Sequence, residues 1–185
     1  MSSTFTASLD LSVIATELFS AGISRGPIRT PALANIRMTT GTSDGQISKS
    51  YYKRYTGVGA STTTSIDLVG SLTDTSGDTI NFDEVVLIFV RNLSSTAVNY
   101  LEVGPHPTNG FGVLASNRGF WKDVSDRSIV PADSTADSNG GGNFILWYNI
   151  AGVPAVGGST DILAIITGAS ASAASFEVLI LGRDN

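Results

Sequence analysis

The chain has 185 residues, 42% hydrophobic and 15% charged, with a net charge of −5, which is material for one domain, or a domain with an arm, and excludes two large domains. With no cysteine and one histidine, disulfide frameworks, thiol nucleophiles, zinc ribbons, iron–sulfur sites and multi-histidine metal centres are all excluded. The acidic balance opposes a phosphate-binding surface, because nucleic-acid affinity comes chiefly from lysine and arginine neutralising phosphates.

The opening MSSTFTASLDLSV lacks the basic and unbroken apolar regions of a secretory signal. Instead Phe5, Ala7, Leu9, Leu11 and Val13 alternate with Thr6, Ser8, Asp10 and Ser12, the period of a strand with one buried face. Ile14 to Ile23 reads as a linking segment, closed by Gly22, Gly26, Pro27 and Pro31. Residues 1–30 are therefore expected to form an N-terminal arm or edge-strand segment, and residues 31–185 the main domain.

Strands are predicted over Leu33 to Thr39, Ile47 to Thr56, Thr62 to Leu68 and Thr79 to Phe82, with turn chemistry at Gly41 to Gly45. On the second of these, Tyr51, Lys53 and Tyr55 share one face while Tyr52 and Arg54 share the other. The run Glu84 to Asn92 is apolar on both faces and belongs at the centre of a sheet. At six residues its core VVLIFV is far short of the ~20 needed to span a bilayer. Val98 to Val103 follows within hairpin distance. Further strands are expected at Gly119 to Val124, Ser128 to Val130, Asn143 to Asn149, Asp161 to Thr167 and Phe176 to Arg183, about ten in all. No gap holds a crossover helix of the usual length, so the fold class is all-β, an antiparallel sandwich or barrel.

Chemistry is sparse. His106 is the only candidate base for an activated serine, and it sits in the constrained loop Gly104 to Gly110 with no GxSxG elbow. Asp74, Asp78, Asp83 and Glu84 form the densest acidic group; their Thr, Ser and Gly neighbours mark them as turn residues, and the EF-hand calcium spacing is absent. Gly140 to Gly142 lead into a strand, with no helix start or GK[ST] for a phosphate. The KSYYKR stretch, Lys49 to Arg54, interleaves bases and aromatics as single-strand binders do, but on an alternating strand it reads more simply as an outer sheet face or a subunit contact. Asn92-Leu93-Ser94 fits a glycosylation acceptor and reads as a turn. The aromatics of Phe111 to Trp121 admit two readings, a plug at the end of the sandwich or an interface anchor. No catalytic, cofactor or metal residues are assigned; the interface candidates are Phe5, Leu9, Leu11, Phe111, Arg118, Phe120 and Trp121.

The order of signals after the arm is distinctive. Gly41-Thr42-Ser43-Asp44-Gly45-Gln46 is followed by Tyr51 to Tyr55, then by a block from Asp67 to Phe82 containing Gly70-Ser71-Leu72-Thr73-Asp74 and Gly77-Asp78-Thr79-Ile80-Asn81-Phe82, then by the apolar strand and Leu101-Glu102-Val103-Gly104. This resembles a family of small β-rich virion structural proteins of tailed bacteriophages and prophages, whose recurring block is DLxGSLTDxxGxTxxF. The likeness covers Asn35 to Gly104 and extends loosely to Phe176 to Gly182. It departs at Thr75-Ser76, where relatives carry a small then a larger apolar residue, and in the long loop Pro131 to Gly142.

The resemblance implies a jelly-roll-like β-sandwich without enzymatic activity or cofactor. It further implies a capsid decoration or cement protein on the outer head surface of the virion, made in the host cytoplasm. The implied partners are the major capsid protein or other virion proteins and copies of itself, a trimer being favoured, with no nucleic acid and no membrane. A tail or fibre component is the alternative within that class. A carbohydrate-binding sandwich stacking Phe120, Trp121 or tyrosines on sugars is the alternative outside it.

Overall fold

A computed structural model of the chain describes residues 6–17, 28–70, 72–74, 77–113, 119–132, 143–169 and 173–184. The chain divides into two compact units, Met1–Thr40 and Gly41–Asn185. All regular structure among the described residues is β.

In the first unit β1 (Thr6–Glu17) pairs antiparallel with β2 (Ile28–Thr40) in unbroken register from Thr6↔Thr39 to Glu17↔Ile28. Residues directly opposite share a face in such a ladder. Ala7, Leu9, Leu11 and Val13 therefore share one with Met38, Ile36, Ala34 and Ala32, while Ser8 and Asp10 lie on the other with Arg37 and Asn35. The strand runs four residues beyond Val13, because Ile14 to Glu17 find partners in Pro31 to Ile28; the rest of the expected linking segment lies outside the described residues. Pairing thus joins residues 28–40 to the arm segment, and the unit ends at Thr40.

The second unit contains β3 (Gln46–Ile47), β4 (Lys49–Val58), β5 (Thr63–Asp67), β6 (Leu72–Thr73), β7 (Thr79–Ile80), β8 (Glu84–Asn92), β9 (Leu101–Pro105), β10 (Ser128–Val130), β11 (Phe144–Pro154), β12 (Ile162–Thr167) and β13 (Ala174–Arg183). Its long strands form two four-stranded antiparallel sheets, β11-β8-β13-β4 and β10-β9-β12-β5. The doubly apolar β8 is interior, as its pattern requires. The two inner faces pack as a sandwich. Ile88, Val90, Phe176, Val178 and Ile180 from one sheet meet Ile66, Leu101, Val103, Leu163 and Ile165 from the other, all buried. Each side chain so removed from water contributes roughly 1.5–3 kcal/mol.

Two expectations are corrected. Val98 to Val103 does not form a hairpin with β8: its strand, β9, lies in the opposite sheet between β10 and β12. The crossing is held by Asn92, whose side-chain amide donates to the Asn99 and Val130 carbonyls at 2.8 and 3.1 Å and whose Oδ1 accepts the Ser94 amide at 3.0 Å. Asn92 is fully buried, so the acceptor motif is a structural turn. Gly119 to Val124 is not a strand. Asp126 Oδ2 accepts the Lys122 and Asp123 amides, and Asp123 Oδ1 accepts the Ser125 amide and hydroxyl, so short carboxylates capture the backbone locally and compete with a ladder.

Arg183 closes one end of the first sheet. Its guanidinium is 1% exposed, donates to the carbonyls of Ser43 and Ala151, and pairs with Glu84 at 2.8 Å. Gly152 in the β11 bulge has φ +73°, and a Cβ there would stand 2.5 Å from the Arg183 guanidinium. Removing one partner of a buried pair leaves the other groups unsatisfied, at a cost of about 3–5 kcal/mol. Arg183→Ala is therefore expected to lower unfolding free energy by about 3 kcal/mol or more in urea denaturation. A change under ~0.5 kcal/mol would show that the clamp is dispensable.

Candidate functional site

The predicted aromatic residues gather inside the sandwich. Phe111 is 0% and Trp121 4% exposed. Phe120 packs against both, with ring centroids at 6.2 and 5.8 Å, and Trp147 of β11 lies 4.9 Å from Trp121. Gly112 allows the closure: at φ +80° its carbonyl accepts the Phe120 and Trp121 amides at 2.8 and 3.0 Å, and a Cβ there would stand 2.8 Å from the Trp121 ring. Phe111 and Trp121 are thus the plug rather than exposed anchors, because burial of two large rings outweighs leaving them in water. Trp121 presents no face to a sugar. Trp147, on the predicted strand Asn143 to Asn149, completes the cluster from the inward side of β11, with the same parity as Ile145.

The other interface candidates distribute differently. Leu9 and Leu11 lie on the same face of the β1–β2 ribbon. Phe5 and Arg118 lie outside the described residues. His106 stands in its turn, its Nδ1 accepting the Thr108 amide at 3.2 Å. Asp74 accepts the Asp78 amide at 3.0 Å, a turn contact as expected. Among the described residues no three histidines or carboxylates gather as metal ligands.

A polar cleft of about 340 Å³ opens between the edge strand β4 of one sheet and the edge strand β5 of the other, with β6 along its side. The alternation of β4 aims Tyr51, Lys53 and Tyr55 toward it, and Ser65, Asp67 and Asp74 line the facing side. Tyr55 stacks on Phe176 with centroids 4.8 Å apart and planes 22° apart, which seats the phenol on the core. The Tyr51 and Tyr55 hydroxyls share a 2.9 Å hydrogen bond, and the Lys53 ammonium lies 5.1 Å from the Tyr55 ring centroid. On the opposite face Tyr52 donates to Glu177 at 3.1 Å. Asp67 accepts the Val69 amide at 3.0 Å, so both cleft carboxylates are positioned by their own turns.

Burial pushes the Tyr51 phenol well above its ordinary value, and the Tyr55 contact adds to the rise; burial also raises Tyr55. Both are therefore neutral hydroxyls, each able to donate and accept.

Compared with protein-family models, curated proteins and solved structures, the chain matches none.

The raised phenols predict an alkaline limit. In the unfolded chain tyrosines ionise near pH 10, whereas in the fold Tyr51 and Tyr55 keep their protons beyond it. Their contribution to stability is complete below ~pH 10 and declines as pH rises further. Spectroscopic titration is expected to show Tyr51 and Tyr55 ionising later than tyrosines of the unfolded chain, and Y51F/Y55F to diminish that late step; ionisation of all tyrosines near pH 10 with the fold intact would contradict it.

Proposed function

We propose that this chain is a structural component of a tailed-phage virion, a head decoration protein that binds the outside of the capsid shell and stabilises it by bridging neighbours. The observation that carries this reading is the β1–β2 ribbon. Its register puts Ala7, Leu9, Leu11 and Val13 on one face with Met38, Ile36, Ala34 and Ala32, and a strand pair with an apolar face gains stability by packing that face against another surface, as Met38 is already buried. A strand pair of this kind suits an interface, where a protein surface covers the apolar side.

The strand order supports the same reading. Counting the eight longer strands from β4 and leaving out the short β6 and β7, the first pairs with the eighth, the second with the seventh, the third with the sixth and the fourth with the fifth. That order fits one long hairpin rolled into two sheets, as in a jelly roll, an architecture of viral capsid and lectin domains. Fold alone does not assign function; the resemblance carried by the block Asp67 to Phe82 and the apolar face of the β1–β2 pair support the reading. The mechanism is linkage: a protein that binds only the assembled shell raises the shell's stability, and many copies multiply weak contacts. Trimers of the chain on the major capsid protein fit this mechanism.

Heat and osmotic challenge of particles with and without the protein tests the proposal. Particles carrying it are expected to survive better and to retain it through washing. L9D/L11D is expected to lower retention at least about tenfold without shifting thermal unfolding of the free protein's sandwich. Equal survival with no protein retained after washing would overturn the reading.

A further inference from the structure

We propose that the cleft between β4 and β5 is a binding site for a neutral saccharide. This goes beyond the virion reading and does not rest on it. The volume, about 340 Å³, lies at the small end of the ~300–1,000 Å³ range of small-molecule sites, room for one or two sugar rings. Its lining is polar: Tyr51, Lys53, Tyr55, Ser65, Asp67 and Asp74 carry its chemistry.

The charge selects the ligand class. Two carboxylates against one ammonium repel a phosphate or sulfate, while Lys53 over the Tyr55 ring occupies the place a cationic ligand would take on that aromatic face. A neutral ligand rich in hydroxyls is left. Adjacent sugar hydroxyls donate to a carboxylate, which has about four lone-pair sites and takes more than one donor. The ammonium donates to ring or hydroxyl oxygens, and the Tyr51–Tyr55 hydroxyl pair does both. These groups are already in place. Tyr51 is 4% exposed and bonded to Tyr55, Tyr55 is stacked on Phe176, and Asp67 and Asp74 are held by the Val69 and Asp78 amides. Little side-chain freedom remains to be lost on binding, which favours a specific if weak site.

The test is saturation-transfer NMR on the full chain with glucose, galactose, mannose, N-acetylglucosamine and the disaccharides of each, alongside inorganic phosphate and putrescine. The expected result is transfer from at least one neutral sugar, with an affinity on the order of millimolar. That affinity should fall about tenfold or more in K53M and in D74N, which retains the Oδ1 acceptor of its turn. Y55F keeps the stack on Phe176 and is expected to weaken binding. Three results would overturn the proposal: no transfer from any sugar at tens of millimolar, binding of phosphate or putrescine alone, or sugar binding unchanged in both K53M and D74N. None of these outcomes involves the particle, so failure here leaves the virion reading to its own test.

Discussion

The burial of two apolar sheet faces against each other underlies every other feature of the sandwich. Each inner face is built by alternation: Ala174, Phe176, Val178 and Ile180 point inward on β13 while Glu177 and Leu179 point outward, and Leu163 and Ile165 answer from β12. A one-residue slip in any central strand would exchange the two sets, so the register is held by the core itself. Two buried polar side chains do structural duty, Asn92 at the crossing between sheets and Arg183 at the sheet end. Asn92 has partners for both ends of its amide.

The same constraint explains where the chain has surfaces to offer. Interior strands β8, β13, β9 and β12 are consumed by the core, whereas the edges β4 and β5 are joined by the short turn of residues 59–62 and cannot close on each other completely. Tyr51, buried, and Tyr55, half-buried, stand at the gap with their hydroxyls, which makes a polar cleft with a rigid floor. The β1–β2 ribbon is a second kind of surface. It has a regular ladder and one face lined by apolar residues.

Much of this organisation was legible in the amino-acid order. β8 was predicted with its observed bounds, Glu84 to Asn92, because a strand apolar on both faces has a signature that turns and edges do not blur. Ser128 to Val130 and the alternation of Tyr51, Lys53 and Tyr55 were equally readable. What escaped were features decided by partners distant in sequence. Whether β9 joins β8 or the opposite sheet depends on Asn92 reaching Asn99 and Val130, and nothing local to Val98–Val103 records it. Trp121 looked exposed or buried with equal reason until Trp147, 26 positions on, was brought to 4.9 Å from it. The cleft was hidden for the same reason, since its two walls belong to different sheets and periodicity along β4 cannot say which edge it will face.

In the resulting picture a close-packed β core carries stability, and the edges and the ribbon carry contacts. Image reconstruction of particles bearing the protein would decide it. The account predicts density for the two-sheet fold on the outer head surface, in several symmetry-related copies, with residues 6–17 and 28–40 lying against a neighbouring subunit. Particles whose heads carry no such density, or a ribbon that touches no neighbour, would contradict it.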